Sequence, residues 1–292
     1  MIKIHTRLLS LCCLLSFSVL ADQPLKSYAS AETDALIKRI QTHYPALKTP
    51  WIKQQISDAT VLDSVIRLIN KPAERTLNWE QYRAIFMMPK RINAGKAFYQ
   101  KHKTLFNAAE QQYGVSKWTI LAIMGVETYY GQILGTYSVM DALITLSIHP
   151  ESKRSPFFTA QLADYLLLIK RGIIDHSAVG SYAGAVGMGQ FIPTSIRRWA
   201  VDADENGSIE LSTSPKDAIY SIANYLAEHG WHTAKGIAQP ASKNNDKALE
   251  YKMNDGSEWW QPLDNFAIIK TYNRSNLYAL AVHSLSQAVQ MR

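Results

Sequence analysis

Residues 118–127 read Trp118-Thr119-Ile120-Leu121-Ala122-Ile123-Met124-Gly125-Val126-Glu127, an almost wholly apolar run that ends in a carboxylate. Ser116 is placed to act as an N-cap, so a helix is expected from Lys117 towards Tyr130, closed by Gly131. A helix that is apolar all round is buried, and the fold must be packed around it. Its single acid, Glu127, then meets a low-dielectric setting that disfavours the charged form and raises the pKa. A carboxyl kept protonated near neutral pH can donate a proton to a glycosidic oxygen. Two ordinary alternatives exist: a Glu that merely emerges at the helix end, or one paired with a buried Arg. The helix pattern alone does not choose between them.

Outward from this helix the text stays helical. Upstream, Leu36, Ile40, Ile56, Val61, Leu62, Val65, Ile66 and Ile69 recur at helical spacing, punctuated by Pro50 and Pro72. Residues 22–103 read as an N-terminal helical lobe with no evident chemistry. Downstream, helices are expected at Asp141–Ser147, Pro156–Lys170, Thr194–Ala200 and Asp217–His229. The segment Ser177–Pro193 carries four glycines and reads as a loop. Between Trp231 and Asn265 the pattern turns polar, with Asn254-Asp255-Gly256 as a turn signal, and a small β-rich insertion is expected. Asn276–Gln290 returns to helix. The organisation is mainly α: a core over 104–230, an insertion over 231–265, and a return to the core over 266–292.

The first residues look like a processing signal. Lys3 and Arg7 precede an apolar run from Leu8 to Leu20, and Val19-Leu20-Ala21 offers a small-residue cleavage site. The run is too short for a stop-transfer helix, so 1–21 is expected to be removed on export to the periplasm. Cys12 and Cys13 are the only cysteines and lie inside it, in no lipoprotein-type context. The mature chain would hold neither thiol nor disulfide and would rely on core packing, which about 270 residues can supply. Without Lys3 and Arg7 the 31 basic residues become 29 against 24 acidic, a net +5. That balance suits a polyanion, and charge alone does not separate peptidoglycan from nucleic acid.

Three motifs follow in order: Glu127-Thr128-Tyr129-Tyr130-Gly131, then Gly180-Ser181-Tyr182-Ala183-Gly184-Ala185-Val186-Gly187-Met188-Gly189-Gln190, then Tyr272-Asn273-Arg274-Ser275 with Tyr278. With Gly135-Thr136-Tyr137-Ser138-Val139-Met140-Asp141, they make the chain resemble the membrane-bound B type of lytic murein transglycosylase, of the lysozyme-like group, from about Tyr82 to Val289. The resemblance implies a lysozyme-like catalytic core and places the sole acid/base at Glu127. It implies cutting between N-acetylmuramic acid and N-acetylglucosamine, with the muramic 6-hydroxyl closing a 1,6-anhydro ring, so one carboxylate serves where ordinary glycosidases need two. By the same resemblance Ser181, Gln190, Tyr225, Tyr272, Asn273, Tyr278 and Tyr82 are substrate-binding positions. The plainer readings are a tight turn for the loop and core packing for some tyrosines, Tyr225 especially. The glycines do not form a phosphate loop, since no strand and no Lys-Ser/Thr flank them. Asp141 reads as a helix-opening residue and takes no catalytic role. Lys153 and Arg154 only approximate the family's arginine pair, so recognition of the peptide stem is expected to differ.

Asp202-Ala203-Asp204-Glu205-Asn206-Gly207-Ser208-Ile209 has the spacing of the first half of an EF-hand loop. Asp202, Asp204 and Asn206 would bind by side chain and Ser208 by its carbonyl. The twelfth position is Thr213, and the resemblance makes Asp217 the later ligand. Structural calcium is expected over 202–217, against the plain reading of an acidic surface turn, and no cofactor is expected for catalysis. His229 and His232 flank a helix-breaking Gly230 and make no metal site. Trp259-Trp260 are either the insertion's small core or sugar-contacting aromatics. The expected partner is the glycan strand, with no nucleic acid, no membrane span and a monomeric state. Other readings are a hydrolytic muramidase, a non-catalytic peptidoglycan-binding protein, or a calcium sensor, the last disfavoured by the single irregular loop.

Overall fold

Helices dominate the computed structural model, which describes residues 23–28, 30–70 and 76–290; the expected leader at 1–21 and Pro72 lie outside them. The N-terminal part supplies α1 (Ser30–His43), α2 (Thr49–Ile56), α3 (Asp63–Ile69), α4 (Trp79–Phe86) and α5 (Pro89–Lys101). Pro50 opens α2 instead of ending a helix, since its missing N–H costs nothing in a first turn. The next group is α6 (Lys103–Tyr113), α7 (Lys117–Thr128), α8 (Val139–Ile148), α9 (Ser155–Lys170), α10 (Pro193–Trp199) and α11 (Pro215–Glu228). The chain closes with α12 (Asp264–Tyr272) and α13 (Asn276–Gln290). Strands are few and short: β1 (Gln23–Pro24) pairs with β2 (Thr60–Val61), and β3 (Tyr137–Ser138) with β4 (Val179–Gly180). The insertion holds β5 (Ala238–Pro240), β6 (Leu249–Lys252) and β7 (Ser257–Pro262), antiparallel, with β7 in the middle.

α7 is the hub. Ile120 to Met124 are fully buried, and α13 packs along it so closely that a Cβ on Gly125 would stand 2.8 Å from Leu285. One hydrophobic cluster runs from Leu25 to Val289. The N-terminal helices therefore share a core with the rest of the chain and are not a detachable unit. Asp141 helps to join them: its carboxylate accepts from Thr60 N–H at 2.9 Å, in keeping with a structural role.

Three local expectations are corrected. Ser116 sits at the N-cap of α7 but its side chain makes no capping bond; Glu110 accepts the Lys117 N–H instead, at 3.0 Å. α7 stops at Thr128, because Tyr129 and Tyr130 both enter the left-handed region at φ 53 and 60, an unusual place for bulky residues. Burial supplies the compensation: the Tyr130 ring fills the space where Gly95 and Gly125 lack side chains. Finally, α12 begins inside the stretch read as the β insertion and continues where no element was expected.

Candidate active site

Glu127 stands in the last turn of α7, where the apolar run gives out and the helix end opens. Its Oε1 accepts a 2.6 Å hydrogen bond from the Tyr278 hydroxyl on α13. Tyr278 is 2% exposed, and burial together with the Glu127 charge pushes its phenol well above the ordinary tyrosine value. The phenol is therefore a permanent donor, and it fixes the position of Oε1.

The next residue ties the glycine-rich loop to the same point. The Thr128 hydroxyl donates to Met188 O at 2.8 Å and accepts from Gly131 N–H at 2.9 Å. Beyond Met188, Gly189 O accepts from the Tyr272 hydroxyl at 2.5 Å. A Cβ at Gly189 would stand 2.9 Å from that phenol, so only glycine allows the approach. Burial and the nearby Glu127 charge also raise Tyr272 well above its usual value. Glu127, Thr128, the loop, Tyr272 and Tyr278 thus form one closed frame from α7, the 181–190 loop and the α12–α13 corner.

Most of the expected contact residues are placed around this frame, and several have internal duties. Ser181 Oγ accepts from Ala183 and Ala185 N–H groups, so it shapes its own turn. Gln190, at φ 50, donates through Nε2 to Leu134 O and Gly187 O. Asn273 Oδ1 accepts from Ser275 N–H at 3.1 Å. For Tyr82, Tyr225 and Tyr278, expected at substrate-binding positions, burial favours the plainer reading of core packing. They are 3%, 6% and 2% exposed, so packing leaves no ring face open to a sugar. Tyr225 donates to Thr271 O at 2.7 Å and lies in an aromatic cluster with Trp199, His229 and Tyr272. Of the tyrosines from the sequence reading, Tyr272 keeps partial exposure.

Sequence reading missed Arg91. Its Nη1 donates to Gly125 O at 2.5 Å, and its guanidinium lies 4.6 Å from the Tyr129 ring. A helix ends with carbonyls that have no partner inside it, and Arg91 satisfies one of them two residues before Glu127. No short-range pattern signals this, since Arg91 comes from another helix. Arg154 packs over Phe157 at 4.2 Å, and Lys153 is exposed. His229 Nδ1 contacts Tyr225 O at 2.6 Å and stacks on that ring, which fits packing and not metal binding.

The acidic loop closes on the distant carboxylate. One carboxylate oxygen from each of Asp202, Asp204 and Asp217 falls within 4.8 Å of the others. Asp217 is fully buried, and its oxygens accept from Ala203 and Glu210 N–H groups. Asp202 and Asn206 accept backbone N–H groups that hold the turn. All the donor atoms are hard oxygens, and among the described residues no side-chain cation pairs with the buried carboxylate, an arrangement that fits a hard divalent ion such as calcium. The loop also reaches the site: Leu211 O accepts from Met188 N–H at 2.8 Å.

Comparison with known proteins agrees with this arrangement. A family model described as "Transglycosylase SLT domain" matches residues 33–259 and 234–287. The membrane-bound lytic murein transglycosylase B of Escherichia coli (strain K12) is 34% identical over 282 residues, 82% of this chain and 78% of its own length. The crystal structure of the soluble lytic transglycosylase SltB1 from Pseudomonas aeruginosa superposes with a TM-score of 0.80 at 33% identity, over 87% of this chain and 98% of that one. The Escherichia coli lytic transglycosylase Slt35, solved in complex with calcium, gives 0.77 at 31% identity, over 88% and 92%.

Proposed function

The chain belongs to the lytic murein transglycosylases of the SLT-domain family and is a peptidoglycan-cleaving enzyme; from that premise we propose that Glu127 is its single general acid/base. The observation that carries this reading is the 2.6 Å bond from the buried Tyr278 hydroxyl, which pins one oxygen of Glu127 and orients the other. Asp141, the next acid along, accepts from Thr60 N–H at the junction with the N-terminal part, in keeping with a structural role.

The bond cut is the β-1,4 link from N-acetylmuramic acid to N-acetylglucosamine. Glu127 gives its proton to the bridging oxygen as the bond to the anomeric carbon breaks. The resulting carboxylate then takes the proton of the muramic 6-hydroxyl, whose oxygen bonds to the anomeric carbon and closes the 1,6-anhydro ring. Gln190, Tyr272, Asn273 and Ser181 border the substrate, while Tyr82, Tyr225 and Tyr278 support the wall behind them. Calcium at Asp202, Asp204, Asn206, Ser208 and Asp217 is structural, holding the loop that ends at Leu211 against Met188. The leader at 1–21 directs export to the periplasm; among the described residues no helix is long and apolar enough to cross a membrane.

The test is mass spectrometry of soluble products from purified murein, digested by the wild type and by Glu127→Gln. Anhydro-muropeptides from wild type alone are expected. Products one water heavier would mean a muramidase, and full activity in Glu127→Gln would remove Glu127 from the reaction.

A further inference from the structure

At the other end of α7 from Glu127 lies an open groove of about 540 Å³, walled by the start of α7, the 231–237 loop, strands β5 and β7, and the end of α13. Trp118 is nine residues before Glu127 on α7, so the groove begins roughly 13 Å along the helix axis from the acid. It is separate from the frame described above.

Three of the chain's seven tryptophans, Trp118, Trp231 and Trp260, line it. Trp118 is backed by Tyr99 at 4.6 Å. Trp260 meets the edge of His283, and its indole N–H is already spent on Glu258 at 3.1 Å. The 231–237 loop is fixed in advance. Asn265, fully buried, accepts from His232 N–H and donates to His232 O and Lys235 O, at 2.7–3.0 Å. Its own N–H donates to Gly236 O. Thr233 adds a bond to Gly114 O at 2.9 Å. Yet His232 through Gly236 are all exposed. A buried asparagine that locks exposed backbone forms a preorganised wall, as a binding site requires.

The polar lining identifies the ligand class. Among the described residues no carboxylate lines the groove, and the lysine there, Lys235, is paired with Asp264 at 3.4 Å. Besides the His283 imidazole, which burial holds towards its neutral form, the remaining polar groups are hydroxyls and amides, with Gln239 and Gln287 exposed and Thr119 and Ser286 buried behind them. A nucleic acid needs a line of free cations, and a peptide stem needs a partner for its carboxylates. Indole faces with neutral donors and acceptors suit an N-acetylated sugar, whose C–H face is apolar and whose edge is hydroxyl and amide. We propose that this groove is an accessory saccharide site that holds an N-acetylglucosamine-containing stretch of the glycan outside the cleft. The inference rests on the peptidoglycan reading of the active site. Holding the polymer at a second point raises its effective concentration at the first.

The experiment uses the full chain carrying Glu127→Gln, with its indole N–H groups observed by NMR while chitotetraose is added. Single Trp→Phe variants assign the signals. Saturable shifts of the Trp118, Trp231 and Trp260 signals are expected. The exposed pair Gln239→Ala/Gln287→Ala should weaken binding read from those signals about tenfold, with unchanged melting. Shifts confined to other tryptophans, or equal binding in the double variant, would overturn the proposal. So would a response of these three signals to a stem peptide and not to the sugar. None of these outcomes depends on the product analysis that tests Glu127, so the two readings fail separately.

Discussion

Replacing Tyr278 by Phe deletes one oxygen, the donor of the 2.6 Å bond to Glu127 Oε1. The ring is 2% exposed and fully packed, and Phe fills the same space, so the cost to the fold is expected to be small. A hydrogen bond to a charged group contributes about 1.5–3 kcal/mol. If that energy serves to orient Glu127, tenfold in rate per ~1.36 kcal/mol gives a loss of roughly 10- to 150-fold in kcat. Because the buried phenol meets the acid and not the sugar, KM should stay within about twofold. The assay is release of soluble fragments from murein at several substrate concentrations, with a thermal melt of the same samples. A kcat within about twofold of wild type would refute the orienting role. A fall in melting temperature large enough to explain the lost activity would refute it equally, by showing that the bond serves the fold.

Gly125→Ala should destabilise without touching the chemistry: its Cβ would stand 2.7 Å from Tyr130 and 2.8 Å from Leu285. Overpacking of about 1–3 kcal/mol, at roughly 2–4 °C per kcal/mol, predicts a clear drop in calorimetric Tm, and an unchanged Tm would mean that Tyr130 yields freely. Calcium should raise the Tm of the wild type, with about 2.7 kcal/mol gained at a hundredfold excess over Kd. Asp202→Ala should lose that rise and show only indirectly reduced turnover, which a calcium titration by calorimetry checks. Burial holds His283 and His102 below the usual histidine value of 6.5, so the unfolded chain binds more protons below that pH. Their contribution to stability is complete above pH 6.5 and is lost as pH falls from there through the lower folded values. Urea melts at about pH 7.5 and about pH 5.5 should show the decline, and His283→Gln should make it shallower.

The buried helix that ends in Glu127, the glycine loop and the acidic turn were legible because each depends on short-range spacing. An unbroken apolar run has to be buried wherever it ends up, and Glu127 had to mark its edge. Asp202, Asp204 and Asn206 are two residues apart and share one turn in any packing. α12 was not legible, because its Asp264–Tyr272 segment follows directly on a strand and gives only a weak amphipathic signal. The aromatic residues were recognisable by type and not by orientation: nothing local says whether Tyr278 turns its face to a sugar or its hydroxyl to an acid.

Sequence by itself therefore determined the helical class, the place of Glu127 at the end of the buried helix and the acidic turn. Tertiary structure alone decided that Tyr278, 151 residues from Glu127, supplies its hydrogen bond, and that Arg91 closes the helix end two residues before the acid. It also decided that Glu258 joins Trp79 and Arg83 across more than 170 positions, and that three tryptophans from separate elements line one groove. The physical reason is the range of the forces involved. Periodicity and turn chemistry act over a few residues, whereas hydrogen-bond partners across the molecule are chosen by how the helices pack, and that choice is made by the whole core at once.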